Sequence, residues 1–128
     1  MKLRLRHNLI RLRLGKSEVA QLQCGGECRE EILFPGGVRL SYAIGPSPTG
    51  AGINATLCGS LIRIDVPEED LFRWCTSDQV GISAAITRPD SAPLEILIEK
   101  DFRCLDPLVP EDQSDTFDNP LIRHAVCE

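Results

Sequence analysis

Basic side chains alternate with leucine and isoleucine along the first fourteen residues, MKLRLRHNLIRLRL. Strict alternation is the period of a β-strand with one buried face, and His7-Asn8 forms a two-residue turn between two such strands. Pairing across this turn places Arg4 opposite Arg11 and Lys2 opposite Arg13 on one face. Because like charges that lie opposite each other repel, we expect this face to meet negative charge.

The distribution of charge along the chain is uneven. Six basic residues and no acidic residue fall within the first sixteen positions, whereas the remaining chain carries eight basic and nineteen acidic residues. Clustered Lys and Arg side chains displace counterions from phosphates and attract anions. We therefore predict a non-enzymatic binding or interaction module. Its predicted partner is anionic, either a nucleic acid such as DNA or an acidic protein. The predicted anion-binding or nucleic-acid-binding residues are Lys2, Arg4, Arg11 and Arg13.

Two other interpretations of the basic face involve carboxylates of the same chain. Glu95, Glu99 and Asp101 share one face of the last predicted strand, and they or the acidic tail can neutralise the basic face internally. Alternatively, cations facing these carboxylates define a metal-dependent enzyme that acts on a polyphosphate or another anionic small molecule. The sequence has no phosphate-binding G-x-x-x-x-G-K loop, no nucleophile elbow and no H-E-x-x-H motif. We therefore assign no catalytic residue and no cofactor.

The cysteines offer a possible zinc site. Six are present: Cys24, Cys28, Cys58, Cys75, Cys104 and Cys127. A site built from Cys24, Cys28, His124 and Cys127 has irregular C-x3-C and H-x2-C spacings, and Gly25-Gly26 more simply ends a helix. We therefore expect no metal site and predict reduced thiols, because the N-terminus lacks the continuous apolar centre of a secretory signal. No apolar run is long enough to cross a membrane, and we expect a cytoplasmic protein.

The hydrophobic pattern of residues 1–22 recurs in residues 53–74, with Leu9 falling on Leu61 and Arg11 on Arg63. Farther along, the alignment places Tyr42 on Ile98. The order strand, turn, strand, helix, strand, strand recurs in phase, and a one-residue slip would turn each apolar face outward. We predict a strand-rich α+β fold. In it, a tandem duplication of a β-β-α-β-β unit forms one pseudo-twofold, barrel-like domain with two short helices.

The predicted boundaries follow from this internal duplication. Repeat one spans 1–44, a linker rich in Gly and Pro spans 45–52, and repeat two spans 53–101. They form a single domain, 1–105, followed by an acidic, Pro-containing tail, 106–128. Each repeat alone is too small for its own core, so the repeats should share one and the protein can be monomeric. The outward positions of the first hairpin are basic in repeat one. The corresponding positions of repeat two are nearly neutral and are occupied by Asn54, Thr56, Arg63 and Asp65.

The sequence resembles two families. The string GSLIRIDVPEEDLFRW…DQVGISAAI…LEILIEKD resembles the AbrB-like swapped-hairpin unit, in which a Gly turn leads into a strand ending in Pro, a short helix and two strands. The resemblance implies an interleaved β-barrel and, in many relatives, DNA binding by basic residues of the first hairpin. Here those residues would be Lys2, Arg4, Arg11 and Arg13. The whole chain, especially MKLRLRHNLIRLRL and LIEKDFRCLDP, is also similar to an uncharacterised family of small bacterial proteins.

Overall fold

A computed structural model of the protein describes residues 1–102 and Phe117. The elements, in chain order, are β1 (Lys2–Arg6), β2 (Leu9–Leu14), α1 (Lys16–Gln23), β3 (Cys28–Leu33), β4 (Arg39–Pro46), β5 (Asn54–Cys58), β6 (Leu61–Val66), α2 (Glu68–Thr76), β7 (Gly81–Arg88) and β8 (Ser91–Lys100). A 3₁₀ turn at Pro35–Gly37 joins β3 to β4. The predicted strand-rich α+β fold with two short helices is confirmed. Neither helix is long and apolar enough to cross a membrane.

The strands form two four-stranded sheets. Sheet 1 has the order β1-β2-β8-β7, and sheet 2 has the order β3-β4-β6-β5. Each sheet joins the first hairpin of one half to the second hairpin of the other through a central parallel pair, β2 with β8 and β4 with β6. Within the described residues no strand of one sheet pairs with a strand of the other. The predicted barrel is therefore wrong, because two edges of each sheet stay open.

The two halves have the same order of elements and exchange hairpins in the same way. Ile10 pairs with Ile96 in sheet 1, and Ile62 pairs with Tyr42 in sheet 2. The structural counterpart of Tyr42 is consequently Ile96, two residues before the Ile98 that the hydrophobic pattern predicted. A shift of two residues preserves the strand period, so every side chain still lies on its predicted face.

One apolar cluster unites the inner faces of both sheets with both helices. Leu12 and Leu14 of β2, and Ile64 and Val66 of β6, are each at most 1% exposed. From α2, the Trp74 ring is fully buried and its indole Nε1 donates a hydrogen bond of 3.1 Å to the carbonyl of Val80. This bond satisfies the one polar atom that a buried tryptophan carries.

The candidate zinc ligands fall partly outside the described residues. Cys24, Cys28, Cys58 and Cys75 are free thiols, of which Cys28 is buried. Cys104, Cys127 and His124 lie outside the described residues, as does the tail 106–128 apart from Phe117. The Phe117 amide donates to the carbonyl of Asp101 at 2.6 Å, and its ring centroid lies 5.8 Å from that of Phe102.

Replacing Trp74 with alanine should destabilise the protein strongly, because it removes the largest fully buried side chain. The expected loss in the free energy of unfolding is about 3 to 5 kcal/mol. Urea unfolding followed by far-ultraviolet circular dichroism measures it, since the variant has no tryptophan for fluorescence. Phe72→Ala is the matched control on the same helix, because Phe72 is 54% exposed. Equal losses in the two variants would contradict the proposed core.

Candidate anion-binding face

The outer face of sheet 1 carries the predicted basic residues. Arg4 lies opposite Arg11 and Lys2 lies opposite Arg13, in the register that the alternation predicted. Arg6 continues the same alternation at the end of β1, so it belongs to this face although it was not among the predicted binding residues. We use the name basic face for the set Lys2, Arg4, Arg6, Arg11 and Arg13.

Two carboxylates at the end of β8 contact the basic face. The parallel ladder sets Glu99 beside Arg13, and the Glu99 Oε1 atom lies 2.5 Å from Arg11 Nε and 3.7 Å from Arg13 Nε. Lys2 Nζ lies 3.0 Å from Asp101 Oδ2. Glu95, earlier on the same face, makes no ion pair with the described residues. Carboxylates of the same chain therefore offset part of the positive charge of the basic face, and Glu99 forms ion pairs with two arginines.

The geometry around Glu99 leaves hydrogen-bond donors available. Both guanidinium groups approach the same carboxylate oxygen through Nε, and their terminal Nη atoms have no hydrogen-bond partner among the described residues. The side chains of Arg11, Arg13 and Glu99 are 23%, 24% and 20% exposed. Partial burial restricts their rotamers and lowers the local dielectric, so the unsatisfied charge acts more strongly than on a solvated side chain. Within the described part of the chain, Arg11 and Arg13 thus share a single carboxylate, which balances one of their two positive charges.

Sheet 2 shows a different charge balance at the corresponding position. Arg63, the counterpart of Arg11, lies 2.5 Å from Glu27 Oε2 through Nη1 and 2.8 Å from Asp65 Oδ1 through Nε. Hydrogen bonds to Glu27 and then to Asp65 raise the pKa of Arg63. Two carboxylates thus surround one guanidinium group here, which is the reverse of the ratio in sheet 1. The positive surplus is a property of sheet 1 and not of the fold.

A polar cluster that joins the N-terminus to α1 and to sheet 2 was not predicted. The Met1 amine lies 2.6 Å from Glu18 Oε2 and 3.4 Å from Glu30 Oε1, and the Tyr42 hydroxyl donates to Glu30 Oε2 at 2.8 Å. Burial alone would lower the pKa of the Met1 amine, but the two carboxylates outweigh it and the pKa is raised. Burial and the bond to Glu30 raise the pKa of Tyr42 to about 12. No short-range pattern connects these four residues, since they come from separate elements.

Lys100 is an interior cation on the opposite side of β8 from Glu99. It is 7% exposed, its Nζ donates to the Ser77 carbonyl at 2.7 Å, and it lies 5.7 Å from the Trp74 ring and 5.5 Å from the Phe117 ring. Burial lowers its pKa. The aromatic faces attract the ammonium group electrostatically, so Lys100 links the last strand to α2 and to Phe117.

The metal-dependent alternative involves the carboxylates Glu95, Glu99 and Asp101. Glu99 and Asp101 already hold cations of the basic face. In the described part of the chain, no three His, Cys, Asp or Glu side chains approach closely enough to hold a metal ion.

Comparison with known proteins gives one assignment. A family model described as a family of unknown function, DUF7009, matches residues 1–121. The chain belongs to this family. The predicted similarity to an uncharacterised family is therefore confirmed. No curated protein and no solved structure matches the sequence.

The single tyrosine of this DUF7009 protein allows a direct test of the polar cluster. Absorbance at 295 nm during an alkaline titration should show Tyr42 ionising near pH 12 rather than at its ordinary value of 10.0. Because the folded-state pKa is raised, this group stabilises the fold fully below pH 10. The contribution is lost as the pH rises towards 12. Glu30→Gln should lower the pKa of Tyr42, and an unchanged titration in that variant would contradict the assigned hydrogen bond.

Glu99→Gln should destabilise this DUF7009 protein by about 1 kcal/mol, because it removes the carboxylate that the neighbouring Arg11 and Arg13 share. The loss should shrink at high ionic strength, since salt screens the repulsion that remains. Chemical denaturation at low and high sodium chloride in urea measures both effects. Glu95→Gln removes the same charge from the same strand and face, so it should have little effect. Equal losses in both variants would show that the Glu99 ion pairs are unimportant.

Proposed function

We propose that this protein is a non-enzymatic binding module that contacts an anionic partner through the basic face of sheet 1. The observation that carries the proposal is the sharing of Glu99 by Arg11 and Arg13. One carboxylate orients two guanidinium groups and neutralises one of them. The remaining charge and the terminal nitrogens are available to oxygen atoms of a phosphate or carboxylate.

The ion pairs with Glu99 favour anion binding in a second way, besides the electrostatic attraction of the basic face for an anion. Ordering a long side chain at an interface costs roughly 0.5 to 1.5 kcal/mol, and the hydrogen bond to Glu99 already restricts Arg11. Both Nε atoms lie within 3.7 Å of the same Glu99 oxygen, so the two guanidinium groups present neighbouring donors. Arg4 and Arg6 extend the row of positive charge along β1, where both are exposed.

The chemistry of the face favours the phosphate backbone of duplex nucleic acid over unpaired bases. Its five defining residues are all cationic and include no aromatic ring, so the face offers no platform on which a base can stack. Contacts with phosphates position a protein on DNA without selecting a sequence. We therefore propose duplex DNA as the partner class, recognised through its charge.

We further infer that the two halves descend from one duplicated β-β-α-β-β unit. The shared order of elements and the reciprocal exchange of hairpins support this origin. On that basis, the acquisition or loss of basic residues in one half changes the binding surface without changing the core.

Binding to a duplex oligonucleotide tests the proposed surface. The variant Arg4→Ser with Arg6→Ser should weaken binding several-fold and reduce the slope of log affinity against log salt by roughly 1 to 2, as expected for two lost phosphate contacts. Fluorescence anisotropy at several salt concentrations provides both quantities. Circular dichroism of the same samples verifies that the variant is folded.

A matched control separates a specific face from net charge. Arg73→Ser with Arg88→Ser removes two exposed arginines outside the basic face and leaves the same net charge as the test variant. This control should bind as the unmodified protein does. Equal weakening in both double variants, or no measurable binding of duplex DNA by the unmodified protein, would overturn the proposal.

A further inference from the structure

Among the described strands, β3 is an edge of sheet 2, and one side of its backbone faces away from that sheet. Phe34 N–H donates to the Val38 carbonyl at 2.7 Å, which sets the alternation of the β3–β4 ladder. Even-numbered residues of this region therefore bond to β4, whereas Arg29, Glu31 and Leu33 direct their N–H and C=O groups away from the sheet. None of these three has a backbone partner on that side within the described residues. Open edges of this kind are templates for another strand.

Exposed apolar side chains cluster at the end of the same hairpin. Ile32, Leu33, Phe34 and Val38 are 45%, 74%, 49% and 60% exposed. Such a group of neighbouring apolar residues at an open edge is typical of a surface that another chain covers. A partner strand at β3 would bury part of this surface and satisfy the edge at the same time.

We propose that β3 pairs antiparallel with β3 of a second copy of this chain, across a twofold axis that passes through Glu30. In this register Arg29 lies opposite Glu31 of the second copy and Glu31 lies opposite its Arg29. Each of these pairs exchanges two backbone hydrogen bonds, because the residues involved are those whose polar groups point outward. Cys28 and Ile32 of the two copies face each other on the inner side.

Charge favours this register over the two registers next to it. Moving the axis to Arg29 would place that residue opposite its own copy, and moving the axis to Glu31 would do the same for Glu31. Like charges in directly opposed positions are unfavourable, whereas opposite charges are favourable. The register centred on Glu30 brings together the two Glu30 side chains, but each is already held by the Tyr42 hydroxyl and the Met1 amine of its own chain.

The other edges lack this complementarity. Outward charges on β1 are all positive, β5 has no charged residue, and β7 has Arg88 alone. Among the described sheet edges, β3 is the one that presents both signs two residues apart. Arg29 is exposed and makes no ion pair with the described residues. The Glu31 Oε2 atom lies 2.9 Å from Arg39 Nη1 and accepts a hydrogen bond of 3.4 Å from the Ser41 hydroxyl of its own chain, so Arg29 of a second copy would share this carboxylate with Arg39. Within residues 1–102 the hairpin exchange leaves this edge without a partner strand, and the protein is expected to be a dimer instead of a monomer.

Charge reversal at the two positions provides a decisive test. Arg29→Glu alone and Glu31→Arg alone each place like charges opposite each other twice, and should raise the dissociation constant of the dimer by about tenfold or more. An equimolar mixture of the two variants should dimerise again, because both opposed pairs then have opposite signs. Sedimentation velocity at several concentrations measures the dimer fraction, with the unmodified protein alongside.

Recovery in the mixture also shows that both variants are folded. Arg88→Glu, on the β7 edge, is the matched control and should dimerise as the unmodified protein does. If the unmodified protein is monomeric at all concentrations, the proposal is overturned, and a different protein would have to pair with the β3 edge. A dimer that persists in either single variant, or a mixture that stays monomeric while both variants are folded, would overturn it as well.

Discussion

The parallel pairing of β2 with β8, and its counterpart between β4 and β6, is the constraint on which the structure depends. An isolated two-stranded hairpin is at best marginally stable in water, because nothing covers its apolar face. By joining hairpins from opposite halves, the central ladders form four-stranded sheets that both cover one apolar cluster. Neither half can therefore keep its core without the other.

One register in the central ladder determines both the core and the charged surface. Leu12 pairs with Ile98, and both point inward, where they are at most 1% exposed. The next pair, Arg13 with Glu99, points outward because side chains alternate along a strand. A slip by one residue would expose the apolar pair and bury the charged one. Burial of the apolar side chains thus determines the register of the β2–β8 ladder, and this register brings Arg13 beside Glu99. The ion pairs themselves contribute little to the stability of that register.

Features with a local period could be predicted from the sequence, and features set by distant contacts could not. Alternation predicted the hairpin β1–β2, including the positions of Arg4 and Arg11. It could not decide whether the sheets close, because closure depends on twist and on pairing between edges far apart in sequence. The cluster of Met1 with Glu30 joins residues 29 positions apart, and no spacing rule predicts it. The two-residue error for Tyr42 arose because a shift by one strand period leaves the hydrophobic pattern unchanged.

The contrast between Arg11 and Arg63 separates the requirements of the fold from those of the surface. The same geometry accepts a guanidinium group with two carboxylates in sheet 2 and two guanidinium groups with one carboxylate in sheet 1. The second arrangement is electrostatically less favourable, since opposed cations across β1 and β2 each cost a few tenths of a kcal/mol. Folding consequently gives no reason for the positive surplus, because sheet 2 shows that the architecture forms without it. An anionic partner would convert that unfavourable charge into binding free energy, and this is the physical basis of the proposal that the basic face binds such a partner.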